Sequence, residues 1–548
     1  MMRQVYIVLP LLAICSAAFA QEWGGEIESV EIEIIKERQL TLPRANRAFD
    51  KVPPRPVEPI EPRLTYDFQP VNFEAKSFAP VLRPLRLKPE ELTRLYGRTV
   101  SAGLGNYASP YLEASLSTKR NKDRFLAARF FHRSFGTGPV GGEKSASGQT
   151  EIAALASSFG KQVSGGGELH YVHTAVNFYG FPNLNAVAAN TLAQNFNRVK
   201  LSGQFENTRK GDFNFDAGGS FGYLVDNFKA AESEAFIYAN TQYKINATSA
   251  FLASADYVLI ARRDENVDAK PRHLLRIRPV YQFVPVDKLT VQAGAQLAYE
   301  NDTVGTGSNF HLYPHAHARY ALAKRVEAFA QLSGNMERVS LHTLTAQNPW
   351  LAPNVPIFHT NKRIEVGGGL QGGSTRGLTW SLGVFSAALD HQYFFINDAT
   401  GAKFDLNYFS KPVWRTNPFA EIGFAKDVRT QFKFRFDYFA YNSSSPGFVP
   451  WHLPQYRTEV LANILLYKKL LLQTSSTVLG GIRALENTSL RTVALPVAVD
   501  LNVKFDYLLS DRFTIFLKGE NLLNSQYRLF LNYPVRGLQV LAGATYNF

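Results

Sequence analysis

From about residue 97 to Phe548 the chain repeats a single pattern, runs of roughly ten residues in which apolar and polar side chains alternate. Along Phe432, Lys433, Phe434, Arg435, Phe436, Asp437 and Tyr438 every aromatic ring points one way and every charge the other. In a second run Val497, Val499, Leu501, Val503, Phe505 and Tyr507 share one face, and Asp500, Asn502, Lys504 and Asp506 share the other. The C-terminal run sets Leu538, Val540, Ala542, Ala544, Tyr546 and Phe548 against Gln539, Thr545 and Asn547. Successive side chains of a strand point to opposite faces, so a period of two means strands with one apolar and one polar face. A soluble sandwich and a membrane barrel both satisfy that pattern.

Three features select the membrane barrel. Short turns such as 160–162, 208–210, 246–248 and 510–512 take turns with long connections at 137–149, 181–195, 263–272, 340–362 and 443–456, as on the two sides of a transmembrane barrel. Aromatic residues are abundant, with 41 Phe and 25 Tyr, many near strand ends where interfacial girdles sit. The last strand ends in Phe548, and with Tyr546 it resembles the signal by which barrel-assembly machinery recognises its substrates. Beyond residue 20 no apolar run is long enough for a transmembrane helix. The expectation is an all-β fold: a transmembrane antiparallel β-barrel of about 22 strands over residues 96–548, in the outer membrane of a Gram-negative cell.

The N-terminal part differs. Residues 1–20 have a secretory layout, with Arg3 ahead of an apolar core from Val5 to Ile14 and Ala18-Phe19-Ala20 as the cleavage site. The chain's one cysteine, Cys15, lies there, so the exported protein has no disulfide, thiol chemistry or Cys-based metal site. Residues 21–95 hold ten of the 28 prolines, which block helix and interior strand and predict an extended periplasmic or lumenal segment. Within its acidic head Val30, Ile32 and Ile34 alternate with Glu31 and Glu33, a short strand able to pair with a partner's sheet edge. The formal charge of +13 is dispersed along strands, which points to lipopolysaccharide, anionic solutes or an acidic partner and away from nucleic acid.

The C-terminal residues Gly519-Glu520-Asn521-Leu522-Leu523-Asn524-Ser525-Gln526-Tyr527, followed by Tyr533-Pro534-Val535-Arg536-Gly537 and a strand ending in Phe548, resemble the closing hairpin of TonB-dependent receptors. Asn348-Pro349-Trp350-Leu351-Ala352-Pro353 in a long outer loop agrees with that family, and Glu28-Ser29-Val30-Glu31-Ile32 is similar to the short box that pairs with TonB. The resemblance implies an active outer-membrane transporter energised by TonB. It departs from the family in the plug: fewer than eighty proline-rich residues stand where those receptors carry a folded domain.

The candidate solute-facing groups are the polar-face charges Arg276, Arg278, Lys433, Arg435, Asp437, Asp500, Lys504 and Asp506, since guanidinium rows suit carboxylate and phosphate. The same charges would also pair with one another across strands of any wet barrel interior. His311, His315 and His317 share a face, but Arg319 on that face opposes a cation, so no metal or other cofactor is expected. Neither His359 nor Asp390-His391 is accompanied by a serine motif, and no enzymatic activity is expected. The glycine triplets 165–167 and 367–369 are expected at strand starts or bulges.

Two functions follow. In the first, the barrel moves a solute across the outer membrane, with TonB or another periplasmic protein acting through residues 21–60 and a surface lipoprotein as accessory. In the second, it is a non-transporting subunit anchoring an assembly or secretion complex. A lumen this wide also needs a closure, which either the acidic N-terminal segment, inward loops or a partner supplies.

Overall fold

The computed structural model describes residues 95–548 apart from 303–308, 428 and 487–489. The chain divides into two units, Met1–Pro89 and Glu90–Phe548, and the barrel belongs to the second. The secretory segment, Cys15, most of the proline-rich extension and the strand of Val30, Ile32 and Ile34 lie outside the described residues.

Twenty-two antiparallel strands, from Arg98–Gly105 to Gln539–Asn547, form one closed sheet. Closure is direct: the first strand pairs with the last, Thr99 opposite Asn547 and Gly103 opposite Gly543. Every other strand pairs with its neighbours in sequence. Two short segments, Val267–Asp268 and Ala440–Asn442, add rungs beyond the main ladders. The seam ends on the short-turn side, where the Phe548 amide donates to the Arg98 carbonyl and the Asn547 amide to that of Arg512. Among the described residues no helix is long and apolar enough to cross a membrane.

The alternation read in the sequence sorts residues as expected. Leu104, Leu201 and Leu312 are more than half exposed on the outer wall, where lipid would cover them. The opposite face carries ion pairs and amide networks. Most of the long connections are a little shorter than their sequence boundaries suggested, because the ladders continue past the apolar belt: strands begin at Ser147 and Thr360 and run to Asp264, while the connection expected at 181–195 is shifted to 178–192 with its length unchanged. The segment 340–362 holds a helix, Leu341–Gln347, and 387–413 holds a hairpin, Tyr393–Asn397 with Phe404–Tyr408.

The second glycine triplet is neither a strand start nor a bulge. Gly367, Gly368 and Gly369 sit mid-ladder opposite Phe385, Val384 and Gly383 in unbroken register, and the bulge in that strand falls earlier, between Lys362 and Ile364. Side chains there would strike the Phe385 and Phe329 rings, which join Phe419 in a stacked row at 6.2 and 5.9 Å. The glycines make room for that row. Gly165–Gly167 likewise lie inside continuous pairing, close to the start of their strand at Val163.

The same device operates at the seam, where the buried Phe516 ring lies over the paired glycines Gly103 and Gly543. A Cβ on Gly543 would collide with that ring and with the Ala102 carbonyl. Overpacking of this kind costs about 1–3 kcal/mol. Gly543→Val is therefore expected to lower the denaturant midpoint at which the heat-modifiable gel shift of the folded barrel is lost.

Candidate functional site

The long connections do not stand apart as separate loops; they fold together into a cap. Residues 178–192 follow the fifth strand, 338–359 the thirteenth and 521–538 the twenty-first, so their roots stand about a third of the circumference apart. Strands spaced 4.8 Å apart and tilted near 40° give 22 strands a radius of roughly 20 Å. Yet Tyr179, Trp350 and Tyr533, one from each connection, touch: their ring centroids lie 5.7, 4.7 and 4.0 Å apart. Loops rooted so far apart meet only by reaching across the mouth.

Around this knot a single apolar cluster gathers Phe196, Leu224, Leu341, Leu344, Leu351, Phe395, Phe404 and Leu406, with Trp350 and Phe530 against it. Phe404 and Leu344 are fully buried. Backbone bonds bind the loops as well: Ala352 donates to Phe404 O, Phe404 to Trp350 O, and His452 to Arg483 O. Gly180 is required at the centre, since a Cβ there would come within 2.6 Å of the Tyr533 ring.

The sequence builds the helix of this cap locally. Ser340 and Thr343 form a reciprocal capping box. The buried Glu232 carboxylate from the wall accepts from the amides of Leu341 and His342 at 2.8 and 2.9 Å, complementing the helix dipole. Wall arginines hold the rest of the loop. Arg198 reaches Thr345, Arg262 reaches the Val355 carbonyl while pairing with Asp264, and Arg272 reaches the Val339 carbonyl and His359 while pairing with Asp302. Each is a charge-assisted contact at a site where water is scarce.

Of the sequence-predicted charges, Arg276 and Arg278 stand apart, whereas Lys433 and Lys504 line one cavity of about 570 Å³ with Glu421 and Lys518. Arg276 binds Asp256 and the Met336 carbonyl, and Arg278 binds Ser254. Lys433 and Arg435 share Glu421, and Asp437 takes Arg435 and Arg457. Lys504 pairs with Asp506, and Asp500 accepts from Asn502. His311 meets Glu300 of the adjacent strand at 3.4 Å. Among the described residues no three His, Cys, Asp or Glu side chains are grouped to hold a metal. Tyr546 and Phe548 pack edge to face at 4.6 Å. Sequence reasoning missed Tyr179, Arg198, Arg262, Arg272 and His452; the Ser340–Thr343 spacing was the one local signal that could have placed the helix.

Three histidines of the cap are held neutral by burial. His452 donates through Nδ1 to the Phe395 carbonyl at 2.7 Å and accepts the Leu531 amide at Nε2, between the Phe404 and Phe530 rings; burial pulls it down to about 4. His342 falls to about 4 and His359 to about 3, through burial first and then through Arg198 and Arg272 respectively. A displaced loop would titrate near 6.5. Below that value the displaced state binds more protons, so the cap's stability is complete above pH 6.5 and falls as pH drops toward 4. Limited proteolysis should cut residues 443–455 faster at pH 5 than at pH 7.5, and His452→Gln should flatten that dependence.

No protein-family model matches the chain, and no curated protein does. Solved structures do. The ferric-catecholate import receptor Fiu of Escherichia coli K12 superposes with a TM-score of 0.63 at 9% identity, over 83% of this chain and 82% of that one. The FrpB iron transporter of Neisseria meningitidis gives 0.63 at 10% over 83% and 82%. The siderophore receptor PirA of Acinetobacter baumannii gives 0.63 at 9% over 84% and 81%. At such identities the likeness carries the fold alone: the chain is a closed 22-strand antiparallel β-barrel that resembles the barrels of TonB-dependent receptors.

Proposed function

We propose that this protein is a gated outer-membrane transporter, moving a solute through the barrel when the cap opens. The observation that carries the proposal is the cap itself. A barrel of this radius encloses far more space than its own wall side chains fill, and the meeting of Tyr179, Trp350 and Tyr533 spans its mouth. On this reading the rows of Arg276, Arg278, Lys433, Arg435, Asp437, Asp500, Lys504 and Asp506 form the polar wall of the path. Tyr546 and Phe548 serve assembly into the membrane. Residues 21–60 lie in the periplasm and engage TonB or another periplasmic protein, and a surface lipoprotein assists at the outer face.

A second reading, a barrel that anchors an outer-membrane complex without transporting, is favoured by the extent of the cap's apolar cluster, which buries Phe404, Leu344 and Tyr533 among others. Single-channel conductance separates the two. Full-length protein in planar bilayers is expected to be silent, and the double variant Trp350→Ala with Tyr533→Ala is expected to conduct; each large-to-small change removes about 3–5 kcal/mol of packing. A second pair, with and without residues 21–95, asks whether the extension adds a further closure. Silence from the cap variant lacking residues 21–95 would leave the anchoring role as the better account.

A further inference from the structure

Among the described residues near the cap, Arg536 has no ion-pair partner, a lack it shares with Arg198, whose guanidinium is bonded to the Thr174 and Thr345 hydroxyls. Arg536 follows the Tyr533-Pro534 pair in the last long connection and packs against the wall, its guanidinium 3.8 Å from the centre of the Phe135 ring. Among the described residues its side chain has one hydrogen-bond partner, the Ser147 hydroxyl, and its Nε is buried with none. No carboxylate lies within ion-pair distance of it among those residues. Its neighbour Arg133, also over Phe135 at 4.7 Å, is by contrast spent: it forms a two-pronged pair with Glu520 at 3.0 and 2.7 Å. Glu520 is claimed a second time by Lys518.

Both arginines face one cavity of about 490 Å³ at the level where the strands leave the wall. Tyr179 and Trp350 of the central knot line it, together with Tyr527 and Asn502. Asp500 lines it too, with its carboxylate engaged by the Asn502 amide at 3.0 Å. The charged residues lining the cavity balance, Arg133 and Arg536 against Glu520 and Asp500, but Glu520 is spent on Arg133 and Lys518, so Arg536 is left without a direct pair. The Arg536 guanidinium is half-buried, and its enclosed Nε has no acceptor, so an acceptor supplied by a ligand would lower the cost of holding it there. Burial presses its pKa below the ordinary arginine value; Arg133 adds to this, while Tyr179, Tyr107 and Glu520 oppose it.

The geometry points to an oxyanion site: we infer that Arg536 receives the carboxylate or phosphate group of a small acidic solute whose body lies against Tyr179, Trp350 and Tyr527. The planar fork of Arg536 is fixed by its stacking on Phe135 and its bond to Ser147, which leaves its remaining N–H groups for a two-oxygen acceptor. The site rests on the transport reading, because it places the solute against the aromatic knot that closes the mouth. It names the class of solute that reading leaves open.

Binding is measurable without transport. Full-length protein in detergent is dialysed to equilibrium against labelled inorganic phosphate, with citrate in a parallel arm to separate a phosphate from a carboxylate preference. Wild type is expected to bind at least one of the two saturably. Arg536→Gln is expected to weaken that binding about tenfold or more, the size of a lost charge-assisted contact. Arg536→Lys, which keeps the charge and loses the fork, should fall between. Heat-modifiable gel mobility reports whether each barrel is folded; should the Gln variant fail there, the Lys variant carries the test with a severalfold loss. Absence of saturable binding in wild type, or equal binding in wild type and the folded variants, overturns the site. Saturable, Arg536-dependent binding in a protein whose cap variants never conduct upholds the site and removes transport.

Discussion

Within a bilayer a backbone amide or carbonyl has no water to bond, so a spanning sheet must close on itself. In this chain that requirement is met at one seam, where residues 99–105 pair with 541–547. Much else follows from it. Closure by antiparallel pairing of the first and last strands needs an even strand number, and it puts both ends of the sheet on the same side. The seam is also where packing is least forgiving, because two glycines face each other beneath Phe516. The outward faces can then be apolar throughout, while the inward faces carry pairs such as Arg276 with Asp256 and Lys504 with Asp506.

Closing the sheet creates a second problem, an opening far too wide for wall side chains to fill. The cap answers it with two kinds of contact that are separated in space. At the rim each connection is tied by directional polar bonds: Glu232 to the helix amides, Arg272 to Val339 and His359, Arg262 to Val355. At the centre the connections meet through rings, with Trp350 on Tyr533 and Phe404 against Phe530 and His452. The rim fixes where each loop stands, and the centre decides whether the loops stand together.

The sequence made the barrel legible and left the cap dark, for a physical reason. Strand faces are a local property: Phe432 to Tyr438 declare both faces within seven residues, and Gly519 to Phe548 resemble a known hairpin. Strand number and termini followed from such local signals. The cap is built from contacts between residues far apart in the chain, 355 positions for Tyr179 with Pro534 and 79 for His452 with Leu531. No periodicity announces them. Trp350 read equally as a ligand-catching loop residue, and Tyr533 as part of a terminal motif; their stacking is visible only in three dimensions. Alternation groups the candidate charges on one face of each strand, but whether Arg435 pairs with Asp437 or meets a solute depends on partners that alternation does not specify.

The division between rim and centre also says how such a cap would come apart. Tearing out a rim contact breaks hydrogen bonds to a charged group, about 1.5–3 kcal/mol each, and leaves groups such as the Glu232 carboxylate enclosed without the amides that satisfied it. Parting two rings at the centre costs about 0.5–1.5 kcal/mol beyond the area exposed, and solvent can cover both. The path of least resistance therefore runs along the seam between Trp350 and Tyr533, with every loop still anchored to its own strands. A cap that opened this way would return to the same closed state, because its anchors never let go. The unmatched Arg536 lies beside that line of parting, in the cavity that Tyr179 and Trp350 help to wall. An anion seated there would bear directly on the contact between the rings, coupling what occupies the cavity to whether the centre holds.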